Sequence, residues 1–275
     1  LSLLAADPGE AVKWYRLSAE QGDEDGLNRL GYAYESGRGV DLDLKKAAEL
    51  YGLAMAKGSL KAQINLGNMH REGLGMPKDE AKALELYRGA AEREHPGAWN
   101  ALGIAYRKGY GVEPDMGEAV KWFRKAAEAG DPAGQCNLGH MYEMGKGVPK
   151  DVAVAADWYR LASDQGSSLA KTFLGWLYQH GEGVVQDIGR AVALYREAAD
   201  DGAPIAMRRL GLLLEQGIGA AKDEAAAAQW YRKAAEAGDL DAQYALGNLL
   251  VQTGKSQGQL AEGVACFRKA AEAGH

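Results

Sequence analysis

Residues Leu138 to Asp151 read LGHMYEMGKGVPKD, with Gly145 and Gly147 bracketing Lys146, then Lys150 and a closing Asp151. Glycine beside lysine is the material of a phosphate loop: small residues let backbone N–H groups converge on the anion, and the ammonium neutralises it. His70, His95, His140, His180 and His275, with Cys136 and Cys266, are the residues that bind metals. Asp43, Asp79, Asp115, Asp151, Asp187 and Asp223 are evenly spaced carboxylates, the raw material of acid–base chemistry.

Spacing argues against each of these chemistries. A dinucleotide fingerprint needs a preceding strand and a third glycine. Here a helical pattern precedes, and the Gly-x-Gly pair stands six times at one interval, at Gly37/Gly39, Gly73/Gly75, Gly109/Gly111, Gly145/Gly147, Gly181/Gly183 and Gly217/Gly219. Gly254-Lys255-Ser256 echoes the end of a P-loop, but Leu249 occupies the required earlier glycine position. No His-x-x-His or His-Glu-x-x-His occurs, so His140 and His180 in adjacent copies read as solvated or groove-lining. The two cysteines are too far apart for a Cys-x-x-Cys site and are expected to be buried structural thiols. No local nucleophile–base signature is present, and the aspartates fit helix caps. The expectation is a protein that is not an enzyme, with no cofactor and no metal.

What positions these residues is a repeat. Leu-Gly occurs at Leu30, Leu66, Leu102, Leu138, Leu174, Leu210 and Leu246, each 36 residues from the last. An aromatic keeps the same step at Tyr15, Tyr51, Tyr87, Phe123, Tyr159, Tyr195, Tyr231 and Phe267. So does glycine at Gly22, Gly58, Gly130, Gly166, Gly202, Gly238 and Gly274, a column that Glu94 breaks.

Each copy reads as two helices. In Ala98–Gly130, Ala98, Leu102, Ala105 and Tyr106 share one helical face, and Gly109-Tyr110-Gly111 stops that helix. Asp115 caps the next one, with Glu118 placed as in a capping box. Ala119, Trp122, Phe123, Ala126 and Ala127 form its apolar stripe, and Gly130 ends it. Small residues let paired helices approach, and aromatics are expected to fill the space between neighbouring pairs. Trp99, beside the Ala98 column, is expected to be exposed. No pair buries its face alone, so the pairs must stack. The count is seven first-type and eight second-type helices.

The organisation read from the sequence is one solenoid over 1–275: a partial repeat at 1–24, an array at 25–252, and a degenerate turn with the last helix at 253–275. In that last turn Thr253 and Lys255 replace the glycines and Gln259 the capping aspartate. Asp7 matches Asp43, and Gly274-His275 falls at a repeat junction, which reads as a segment of a longer array or a mature chain with atypical caps. Leu1–Ala6 is apolar but too short, and lacks the basic start, for an intact signal peptide; that fits a processed or truncated product. The net charge of −6 argues against a protein wrapped around nucleic acid, and no apolar run approaches a membrane span.

The pattern Ala-x-x-x-Leu-Gly-x-x-Tyr-x-x-Gly-x-Gly-Val-x-x-Asp-x-x-x-Ala-x-x-Trp-Tyr-x-x-Ala-Ala-x-x-Gly, matched at nearly every position by Ala98–Gly130, resembles the SEL-one-like repeat family, a branch of the tetratricopeptide-type helical repeats. The resemblance spans essentially the whole chain. It implies an all-α, right-handed solenoid of about seven 36-residue helix-turn-helix repeats, and a non-catalytic adaptor that holds partner proteins. Some members carry a disulfide in each repeat; this chain lacks those cysteines.

Function is expected where the repeat leaves the residue open. Positions two before the Leu-Gly leucine, and two, five and six after it, share a face that arrays of this type set on their concave surface. Candidate partner-binding residues there are Tyr32; Asn68 and Arg71; Asn100, Ile104 and Arg107; His140 and Glu143; Thr172, Trp176 and Gln179; Arg208 and Leu212; Tyr244 and Asn248. Met144 is expected beside His140 and Glu143. Aromatic and arginine side chains suit binding hot spots, and Trp176 stands out in a mostly small or polar column. The leading function is a scaffold gripping a protein partner. Alternatives are an immunity protein neutralising a secreted bacterial toxin such as a phospholipase, and an envelope carbohydrate-processing component or enzyme. The resemblance favours a bacterial periplasm or cell envelope, with the cytoplasm as the alternative.

Overall fold

The structure is a computed structural model that describes residues 7–254 and 256–273. The apolar start Leu1–Ala6, the Lys255 turn position and the Gly274-His275 junction lie outside the described residues. The chain divides into two compact units, one running to Met141 and taking in Gly145–Pro149, the other taking in Tyr142–Met144 and continuing from Lys150.

The first unit holds α1 (Pro8–Glu20), α2 (Glu24–Ser36), α3 (Leu44–Ala56), α4 (Leu60–Glu72), α5 (Glu80–Glu92), α6 (Pro96–Lys108), α7 (Met116–Glu128) and most of α8 (Pro132–Met144). The second holds α9 (Val152–Asp164), α10 (Ser168–His180), α11 (Ile188–Asp200), α12 (Pro204–Gln216), α13 (Glu224–Glu236), α14 (Leu240–Thr253) and α15 (Gln257–Glu272). The described residues thus carry fifteen helices and no strand, seven of the first type and eight of the second, as the repeat requires. Within each unit, consecutive helices pack on one another.

The turns follow from the glycines. Gly109 adopts φ 79° at the end of α6, where its N–H returns to the carbonyl of Ala105 and closes the last turn. Gly111, at φ 68°, lies against the first residue of α5, the second-type helix of the preceding repeat. A Cβ there would sit 2.4 Å from the Glu80 carbonyl oxygen. Gly39, Gly75, Gly147 and Gly183 meet the backbone of Pro8, Leu44, Met116 and Val152 in the same way. The second glycine therefore seats each loop on the helix start of the repeat before it, and no phosphate is needed to explain it.

The six spaced aspartates are caps: the Asp115 carboxylate accepts the Glu118 N–H at 3.0 Å, and the other five accept the equivalent N–H at 2.8–3.0 Å. The reciprocal arm of a capping box is replaced. The Asp115 N–H donates to the Tyr106 carbonyl, and Glu118 pairs with Lys121. At α15, Ser256 takes over the cap three residues before Gln259 and accepts the Gln259 N–H at 3.2 Å. Every glycine of the helix-ending column from Gly22 to Gly238 has positive φ, and Glu94, which stands in that column, is forced to φ 57°.

The core corrects one expectation about the aromatics. Six of the rings sit inside their own helix pairs, over the Leu-Gly glycine: a Cβ on Gly31, Gly67, Gly103, Gly175, Gly211 or Gly247 would lie 2.5–3.0 Å from the ring of Tyr51, Tyr87, Phe123, Tyr195, Tyr231 or Phe267. Some also reach the next pair, as Tyr159 does with Phe173 at 5.2 Å between ring centroids. Tyr51, Tyr87, Phe123, Tyr159, Tyr195 and Tyr231 are fully buried, each burial stabilising the pair by roughly 2–3 kcal/mol. Trp99 is also buried rather than exposed: its indole N–H reaches the Ala91 carbonyl at 3.2 Å, and Lys125 lies over its ring. Cys136 and Cys266 are buried and form no disulfide among the described residues.

Candidate binding face

The first-type helix splits its faces by period. Ala98, Leu102 and Ala105 of α6 are buried, while Asn100, Ile104 and Arg107 are half-buried on another side. The same register leaves Tyr32, Asn68, Arg71, His140, Glu143, Trp176, Gln179, Arg208, Leu212, Tyr244 and Asn248 at least partly accessible. Tyr32 and Tyr244 are the most open of these, 53% and 45% exposed. Thr172 differs: it is buried and its hydroxyl donates to the Ser168 carbonyl at 2.7 Å, so it presents no polar group outward.

The position five after leucine has an internal task. The phenol of the buried tyrosine donates to Glu35 from Tyr51, to Glu143 from Tyr159, to Gln179 from Tyr195 and to Glu215 from Tyr231, at 2.5–2.9 Å. Burial, then the facing carboxylate, pushes the Tyr51 and Tyr231 pKa values up; burial pushes Tyr87 up to about 12. Tyr87 faces Arg71 at that position and donates instead to Asn68 at 2.7 Å. Where the position is Arg107, the aromatic is Phe123, with no hydroxyl to satisfy, and the guanidinium lies 5.6 Å from the ring centroid.

The three arginines of the face differ in partners. Arg71 pairs with Glu72 and lies over Tyr110. Arg208 bridges Asp239 at 3.0 Å and Asp241 at 3.1 Å. Arg107 has no carboxylate among the described residues; its Nη1 donates to the Asn137 side-chain oxygen at 3.3 Å. Two asparagine pairs link first-type helices of successive repeats, Asn65 to Asn28 at 3.0 Å and Asn137 to Asn100 at 2.9 Å. The sequence reading passed over Asn65 and Asn137, which stand one before leucine. The signal was a spacing of one repeat plus one residue between asparagines, 28 to 65 and 100 to 137.

Trp176 is half-buried and stacks on exposed His180 with centroids 4.4 Å apart. Tyr32, Asn28, Lys61 and Asn65 help line an open cleft of about 350 Å³. Met144 is exposed. No three His, Cys, Asp or Glu side chains converge as metal donors among the described residues, and no described helix is long and apolar enough to cross a membrane.

Paired helices with glycine-seated loops and a variable first-helix face define an all-α helical-repeat protein. The chain belongs to the Sel1 repeat family, whose model matches residues 3–23, 25–59, 60–95, 98–131, 132–167, 168–202, 204–239 and 240–275. Proteins of this family are generally protein-interaction scaffolds. The chain is similar to a protective antigen of uropathogenic Escherichia coli strains that displays an SLR fold, at 38% identity and TM-score 0.65 over 98% of this chain and 58% of that one. It spans, then, little more than half the length of that antigen. A Sel1 repeat protein from Oxalobacter formigenes is similar at 31% identity and TM-score 0.67, over 82% of this chain and 92% of that one. An immunity protein from Pseudomonas aeruginosa shares the fold at 24% identity and TM-score 0.61, over 78% and 81% of the two chains. A search of curated proteins found no match.

Proposed function

We propose that this protein is a non-catalytic scaffold that binds a partner protein on the open side of its first-type helices. The observation that supports this is the contrast within each helix. One side is locked by the repeat, and the other offers partly accessible side chains whose chemistry changes from copy to copy, from Tyr32 and Asn68 to Ile104, Arg107 and Trp176. Helices preformed by the repeat need little ordering on binding, so such a face suits a specific partner. The test is affinity capture from the native host with the wild-type chain and a Trp176→Ala/Arg107→Ala variant of unchanged helicity and melting temperature. Loss of one captured protein in the variant supports the assignment; equal capture rejects this placement of the site.

A narrower role, neutralising a secreted bacterial toxin, is suggested by the fold shared with immunity proteins of Pseudomonas aeruginosa. Co-expression with the effector encoded beside the gene tests it: protection of the cells is the expected result, and undiminished killing counts against it. In either role the partner is met in the periplasm or at the cell envelope, which fractionation of the native host checks.

A further inference from the structure

Arg107 departs from its column. In four of the other copies that position is Glu or Gln and accepts a buried tyrosine phenol. Here the tyrosine has become Phe123 and the acceptor has become a cation, so the exchange removes an internal hydrogen bond and leaves a guanidinium with no acid facing it. Its electrostatic neighbours are Tyr110 and Cys136, and burial lowers its pKa, although arginine starts so high that it stays charged. Among the described residues its Nε is sealed from solvent without a partner, and Nη1 donates to the Asn137 oxygen.

That hydrogen bond fixes the direction of everything after it. Arginine can only donate, so the atom it touches on Asn137 is the oxygen. The Asn137 amide nitrogen therefore donates to the Asn100 oxygen, at 2.9 Å. The Asn100 oxygen is occupied, and its NH2 group has no hydrogen-bond partner among the described residues. Amide orientation is often ambiguous, but here the arginine at the head of the row decides it. The outcome is one positive charge and one amide donor, from α6, steadied by α8 and supported from beneath by Phe123.

We propose that Arg107 and Asn100, oriented by Asn137, form a subsite for a carboxylate of the partner, either an Asp/Glu side chain or a chain terminus. This deepens the reading of the first-helix face as a protein-binding surface and rests on it. A guanidinium with no acid beside it among the described residues matches one negative charge, its planar fork suits a carboxylate, and the Asn100 amide, joined to it through Asn137, offers a further donor on the same helix.

The test follows the Arg107 Nε–H and Asn100 side-chain NH2 signals in ¹H–¹⁵N spectra while three short peptides are titrated: one capped at both ends with a single glutamate, one with glutamine and a free C-terminus, and one with glutamine and both ends capped. Saturable shifts with either carboxylate peptide, absent with the neutral one, are expected, and the peptide that works identifies the source. Arg107→Gln should weaken the effect about tenfold or more. So should Asn137→Asp, which keeps the shape but places a competing carboxylate on the guanidinium, and which covers the case where the first variant does not fold. Absence of shifts, shifts that persist in both variants, or tighter binding of inorganic phosphate than of either peptide overturns the proposal. Partner capture that depends on Trp176 while no carboxylate shifts these signals rejects the subsite alone. Carboxylate shifts together with capture that survives Trp176→Ala but is lost in Arg107→Gln keep the subsite and reject the wider placement of the face through Trp176 alone.

Discussion

Adding one methyl group at two glycines separates the two jobs assigned to glycine in this fold. Gly130 and Gly111 both have positive φ, 85° and 68°. A Cβ on Gly130 meets nothing within 4 Å, whereas one on Gly111 lies 2.4 Å from the Glu80 carbonyl oxygen and 2.8 Å from its carbon. Gly130→Ala therefore carries only the left-handed backbone penalty, about 1–2 kcal/mol, offset by about 0.4–1 kcal/mol of lost unfolded-state freedom. Gly111→Ala carries that and a clash with backbone that cannot rotate away. Ordinary contact requires the loop to lift by about 1 Å, which as overpacking costs a further ~1–3 kcal/mol. It also stretches the Gly111 N–H bond to the Glu80 carboxylate, now 3.2 Å. Hydrogen exchange measured peptide by peptide is the suitable assay, because a repeat array need not open as one unit. Gly111→Ala should lower protection in the 109–115 loop and in the first turn of α5. Gly130→Ala should affect only the α7–α8 turn, and less. Equal, local losses for both variants would refute the seating of each loop on its predecessor.

Glu94→Gly should stabilise the chain by roughly 0.5–1 kcal/mol, read as a higher urea midpoint, because it removes the left-handed strain of the one non-glycine residue with positive φ among those described. Phe123→Tyr and Arg107→Glu should each destabilise, by about 1–2 kcal/mol, and the double variant should recover most of the loss by rebuilding the Tyr–Glu bond of the other copies; additive losses in the double-mutant cycle would refute the pairing. Tyr87, raised by burial to about 12 from 10.0, holds its proton more tightly folded than unfolded. Its contribution is complete below pH 10 and is lost as pH rises from 10 toward 12, by about 2–3 kcal/mol. The difference in urea midpoint between wild type and Tyr87→Phe should shift over that window; a flat difference would contradict it.

The helices, their number, their caps and the turn glycines were legible because each is set by a column that holds one residue type through the copies. Asp115 and Gly109 declare their tasks by recurrence. The residue five after leucine did not, because it varies: Glu35, Arg107, Glu143 and Gln179 look unspecified when read down their own column. Their constraint lies in a second column 16 residues on, where Tyr or Phe decides whether an acceptor is required. Thr172 was misplaced among the open residues for a related reason: helical periodicity gives a direction, while depth depends on the neighbouring helix. Asn137 was missed because its partner, Asn100, is in a different column of a different copy. Recurrence exposes what every copy shares, and complementarity between two variable positions becomes visible only when the helices are set side by side.

The contact beneath Gly111 bears on how such a gene lengthens or shortens. At Gly39, Gly75, Gly111, Gly147 and Gly183 the nearest atoms on the predecessor are main chain, of Pro8, Leu44, Glu80, Met116 and Val152, whereas Gly219 meets the Ile188 side chain first, so five of the six junctions place few demands on which side chain stands there. A duplicated or deleted stretch of 36 residues would bring its own loop and find an acceptable seat on whichever copy came before it. Junctions seated mainly on backbone let unequal recombination change the number of repeats with few compensating mutations, while residues on the first-helix face diversify copy by copy.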